Sequence, residues 1–117
     1  MVDITKLRIG NYIYKYAYGV SDVPVGKALF RITLEMFNDI ANRPFDYEYA
    51  ELTVDFLFKK GFSEYDEEGY KKDDFLLDKD FYVVNGFDYY DCTITSRLLY
   101  IHELQNAYLL FIGEELD

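Results

Sequence analysis

The chain opens on a two-residue alternation and closes on a helical repeat. Across residues 11–20, Tyr12, Tyr14, Tyr16 and Tyr18 alternate with Ile13, Lys15, Ala17 and Gly19, the period of a pleated strand. Ser21-Asp22-Val23-Pro24 carries turn chemistry, and residues 27–34 read as a returning strand. Leu34, Phe37, Ile40 and Ala41 stand at helical spacing, so 34–41 is ambiguous until Asn42-Arg43-Pro44 stops any helix. A short helix is clearer over 53–60. Thr53 suits its cap, Asp55 its positive first turn, and Lys59-Lys60 its negative last turn. Gly61 then supplies a left-handed end, and Phe62 folds back onto the final turn.

From 62 to 95 short aromatic runs are separated by Glu67-Glu68-Gly69, Asp78-Lys79-Asp80 and Asn85-Gly86, a pattern of strands and tight turns. The last element is a helix from about 101 to 112, stopped by Gly113, with Ile101, Leu104, Tyr108 and Phe111 on one stripe and Ala107 beside it. Its other side holds His102, Glu103, Gln105 and Asn106 but also Leu109 and Leu110. A side so poor in charge needs cover, from the chain's own sheet or from a second copy. The expectation is an α+β domain spanning 1–117. It has an antiparallel sheet of about five to six strands, a short central helix, and a C-terminal helix packed on the sheet.

Composition narrows the function. The 117 residues suffice for one core without metal or disulfide support. Half are hydrophobic, with thirteen Tyr and ten Phe, which argues against disorder. Twenty-two acids against twelve bases give a net charge of −10, opposed to direct binding of nucleic-acid phosphates or anionic lipid. Residues 1–44 carry +2, while 45–117 carry −12. The single Cys92 forms no intramolecular disulfide. No secretory signal opens the chain, and its longest apolar run, residues 107–112, is far short of the ~20 needed to span a bilayer. The expected setting is the cytoplasm.

Catalytic and metal motifs fail on inspection. Gly26-Lys27 resembles the end of a phosphate-binding loop, but Ser21 and Ala28 occupy the places of its first glycine and its Ser/Thr. A calcium loop starting at Asp78 would need glycine where Val83 stands and glutamate where Tyr89 stands. Paired carboxylates such as Glu67 with Glu68 or Glu114 with Glu115 sit on turns or near the chain end rather than across a cleft. A nucleophile–base pair of Cys92 and His102 is conceivable only if the fold joins them. The expectation is no enzyme, no cofactor and no metal.

The informative stretch is 63–91, where acids and aromatics interleave. Tyr65, Tyr89 and Tyr90 are candidate anchors, and Asp66, Glu67, Glu68, Asp73, Asp74, Asp78, Asp80, Asp88 and Asp91 are candidate contacts for a basic protein. The same pattern also describes half-buried strands kept soluble by an acidic outer face.

Leu7-Arg8-Ile9-Gly10-Asn11 recurs here with Leu52-Thr53, Phe56-Leu57 and Gly61-Phe62. Tyr100-Ile101-His102-Glu103-Leu104-Gln105-Asn106, Tyr108 and the closing Gly113-Glu114-Glu115-Leu116 complete the set. Together they resemble a family of small uncharacterised proteins of bacterial prophages and other mobile elements. The resemblance departs between residues 20 and 49, and Phe56 stands where such proteins often carry Trp. It transfers no catalytic residue. It implies a protein carried by a mobile element inside a bacterial host. With the acidic charge, this suggests an inhibitor of a basic nucleic-acid-handling host protein, a CRISPR nuclease foremost (an anti-CRISPR). The alternative is a self-associating accessory protein, a homodimer joined through Leu109 and Leu110 of the C-terminal helix.

Overall fold

The computed structural model describes residues 1–20, 23–65, 69–84 and 97–116. The chain divides into two compact units, Met1–Ala50 and Glu51–Asp117, each with its own antiparallel sheet. The α+β class and the C-terminal helix are as expected, but the strands are shared between two sheets instead of forming one.

In the first unit, β1 (Tyr12–Tyr18) lies between β2 (Pro24–Arg31) and β3 (Tyr47–Tyr49). β2 starts and ends three residues before the strand expected at 27–34. That frees Thr33 to cap α1 (Leu34–Asn42), where its hydroxyl accepts the Met36 N–H at 3.2 Å. The ambiguous segment is therefore a helix. Its Met36, Phe37 and Ile40 join Val2, Leu7, Ile13, Ile32 and Tyr47 in the unit's core. The turn into β1 is fixed by Asn11, fully buried, whose Oδ1 accepts the Arg8 N–H at 2.8 Å while its own N–H returns to the Arg8 carbonyl.

In the second unit, α2 (Val54–Lys59) begins and ends as its caps dictate. Thr53 accepts the Phe56 N–H at 3.2 Å, Gly61 takes φ +90°, and Phe62 N–H returns to the Leu57 carbonyl at 3.0 Å. A four-stranded meander follows: β4 (Ser63–Tyr65), β5 (Gly69–Lys72), β6 (Phe75–Asp78) and β7 (Val83–Val84), each beside its sequence neighbour. Tyr70, Phe75, Leu77 and Val83 share its buried face. At Gly69 the strands approach so closely that a Cβ would lie 1.9 Å from the Leu77 carbonyl oxygen, a place only glycine can fill. The expected Asn85-Gly86 hairpin lies outside the described residues.

α3 (Ile101–Ile112) packs on β6 through Tyr108, whose ring meets Phe75 at 5.4 Å and Phe62 at 6.4 Å. Glu103 fixes its start by accepting the backbone N–H groups of Leu99 at 2.9 Å and Tyr100 at 3.0 Å. Burial departs from the expected stripe in an instructive way. His102 and Gln105, on the side read as polar, are buried, whereas Leu110 is 79% exposed. The cover extends round the helix but stops short of its last turn. Among the described residues no helix is long and apolar enough to cross a membrane.

Candidate interaction surfaces

Four acids of the second unit, Asp73, Asp74, Asp78 and Asp80, stand on or beside the two turns that flank β6, and they divide by task. Asp73 adopts φ +52° at the β5–β6 turn, where its Oδ2 accepts the Tyr108 phenol at 2.6 Å. Asp78 closes the turn after β6, its Oδ1 accepting the N–H groups of Asp80 at 2.9 Å and Tyr82 at 3.0 Å. These two carboxylates hold backbone and helix in place. Their neighbours Asp74 and Asp80 are exposed on the turns so fixed, as is Asp73 itself. The two turns lie at opposite ends of β6, separated by roughly 13 Å of strand.

Tyr65 belongs to the Asp78 end, because the register runs Tyr65–Gly69–Asp78 across three strands. Its ring is 44% exposed, with Lys71 Nζ 5.5 Å from the centroid. Tyr65, Asp78 and Asp80 are thus gathered at one end of the meander, and Asp73 and Asp74 at the other. Asp66, Glu67, Glu68, Asp88, Tyr89, Tyr90 and Asp91 lie outside the described residues, as does Cys92. His102 is buried and stacks on Tyr100 with ring centroids 5.7 Å apart.

A second surface, on the first unit, was legible in the sequence only as a strand. Opposite the face of fully buried Ile13, β1 presents Tyr12, Tyr14, Tyr16 and Tyr18, with Arg31, Leu29 and Lys27 of β2 beside the first three. Lys27 reaches across β1. Its Nζ stands 4.6 Å from the Tyr14 ring centroid and 2.8 Å from Glu48 Oε2 on β3. The Tyr16 phenol donates to the same carboxylate oxygen at 3.1 Å, and Tyr18 donates to Asp46 at 2.9 Å. Arg31 covers the Tyr12 ring at 5.2 Å. The hydrogen bond from Lys27 holds the Glu48 carboxyl below its ordinary range, and those carboxylates in turn hold the Tyr16 and Tyr18 phenols above theirs. The alternating tyrosines were the available signal. The ties of Lys27 and Tyr16 to Glu48 depend on β3, which the sequence pattern did not reveal.

Beneath that sheet, Lys15, Asp39, Arg43 and Tyr47 line an open recess of about 310 Å³. Tyr47 donates a short hydrogen bond to Asp39, which also faces Lys15 Nζ at 3.7 Å and Arg43 Nε at 3.9 Å. The Tyr47 bond, then the two cations, keep the Asp39 carboxyl below its ordinary range. Burial, then the same bond, keep the phenol above its own. This arrangement fastens α1 to β3 with both partners in their resting protonation states.

Among the described residues no group of three or more His, Cys, Asp or Glu is placed to hold a metal ion. Compared with protein-family models, curated proteins and solved structures, the chain matches none.

Proposed function

We propose that the protein is a non-catalytic inhibitor carried by a bacterial mobile element, acting in the host cytoplasm. Its target is a basic nucleic-acid-handling host protein, with a CRISPR nuclease as the leading candidate. The observation that carries this reading is the division of labour among the acids. Asp73 and Asp78 stiffen two turns, and Asp74 and Asp80 are exposed on them, so charge is presented on preorganised backbone. Exposed Asp80, at the same end of the meander as Tyr65, suits a cationic groove, where the carboxylate speeds encounter and the tyrosine supplies contact area.

Affinity capture from host lysate at two salt concentrations, read by mass spectrometry, tests it. The expected result is a nucleic-acid-handling protein that elutes with salt. No protein enriched over a charge-matched control removes the proposal.

A second reading, self-association through Leu109 and Leu110 at the end of α3, is favoured by the exposure of Leu110, Leu109 being half-buried. It predicts that Leu110→Lys abolishes any dimer seen by light scattering.

A further inference from the structure

β2 ends its sheet. Among the described residues it pairs with β1 alone, so alternate residues turn their backbone N–H and C=O groups outward. All eight of its residues are exposed. Edge strands are ordinarily blunted by short length, by proline, by a bulge, or by charged side chains standing along the rim. β2 is long, its only proline is its first residue, and its one bulge, at Val25 opposite Ala17 and Tyr18, lies at the same end, which leaves the pairing regular from Gly26 to Arg31. Its two cations lean the other way, Lys27 over Tyr14 towards Glu48 and Arg31 over Tyr12. What remains for the rim is Leu29, 40% exposed, and Val25, 73% exposed at the bulge, with Phe30 exposed on the face opposite Leu29.

An antiparallel strand pair about a two-fold axis is self-complementary, so the β2 edge of a second copy satisfies the open backbone groups of the first. Charge favours the same occupant. Residues 1–50 carry six acids and six bases, while residues 51–117 carry the entire −10. Two copies meeting at β2 bring together their neutral parts, whereas any approach through the acidic part is opposed by repulsion. We infer that the protein self-associates edge to edge through β2, joining two three-stranded sheets into one of six in the order β3-β1-β2-β2-β1-β3. The pairing uses residues of the first unit alone.

Sedimentation equilibrium of the full chain at high micromolar concentration is the test. The expected mass is twice 13.9 kDa. Val25→Lys combined with Leu29→Lys should weaken association at least about tenfold with an unchanged circular dichroism spectrum. Leu110→Lys should leave it intact. A monomeric wild type, or a dimer lost on Leu110→Lys and kept in the double variant, overturns the inference. Should the double variant not fold, hydrogen exchange of the wild type at low and high concentration decides. Slower exchange at the β2 amides on concentration supports the pairing, and unchanged exchange overturns it.

Discussion

The Tyr108 phenol and the Asp73 carboxylate, 35 residues apart in the chain, meet in a 2.6 Å hydrogen bond that fastens α3 to the β5–β6 turn. A bond to a charged acceptor contributes about 1.5–3 kcal/mol. Tyr108→Phe keeps the ring contacts with Phe75 and Phe62 and removes only this bond, so urea unfolding should report a loss of that size. Asp73→Asn retains an acceptor oxygen and should cost less. Equal losses in the two variants would mean that the bond does not carry the effect.

Tyr47 and Tyr108 make alkaline pH destabilising. Burial, then the bonds to Asp39 and Asp73, raise both phenols above the ordinary value of 10.0. A raised pKa in the folded state favours the protonated form there. The associated stability is therefore whole below pH 10 and is lost as pH rises through the folded-state values. Urea midpoints measured across this range should fall in the wild type and fall less steeply in Tyr47→Phe and Tyr108→Phe.

Gly69→Ala should be the most damaging single change in the second unit, because the added methyl would overlap the Leu77 carbonyl oxygen. Relief requires β5 and β6 to separate, at a cost of about 3 kcal/mol or more. Loss of amide protection across β5 and β6, seen by hydrogen exchange, is the expected signature.

Thr53→Ala removes the side-chain acceptor for the Phe56 N–H and should cost about 1 kcal/mol, with Thr53→Ser restoring most of it. Denaturant midpoints of the three proteins check the order.

The acids should separate by assay. Asp74→Asn with Asp80→Asn should weaken binding to a captured basic partner and flatten its salt dependence while leaving the unfolding midpoint unchanged. Asp78→Ala should lower the unfolding free energy by about 1–3 kcal/mol, because it leaves the Asp80 and Tyr82 N–H groups without their acceptor. Affinity unaffected by the first pair would exclude the acidic turns as the contact.

What was legible in the sequence was whatever local chemistry decides. The ends of α2 and α3 follow from Thr53, Gly61 and Gly113, each acting within a turn of its neighbours. β3 escaped notice because a three-residue strand has no period of its own, and Tyr47–Tyr49 is a strand only by pairing with β1. The start of α1 was obscured because the expected return strand ran on to Leu34, past the capping Thr33.

On α3, helical spacing located the main stripe but could not foresee that His102 and Gln105 are buried too. The acidic stretch was recognised as charge. Charge alone did not distinguish Asp73 and Asp78, whose carboxylates hold the fold by hydrogen bonds, from the exposed Asp74 and Asp80. Asn11 fixes the first turn, Glu103 starts α3, and Leu116 is buried.

The meander of the second unit has a kinetic consequence. Each strand from β4 to β7 pairs with its neighbour in sequence, so its hairpins close over short loops at little entropic cost. The contact of Tyr108 with Asp73 closes a far longer loop and gains its partner only once the β5–β6 turn exists. Folding should therefore run from hairpins to helix. Tyr108→Phe should then accelerate unfolding while leaving the refolding rate nearly unchanged.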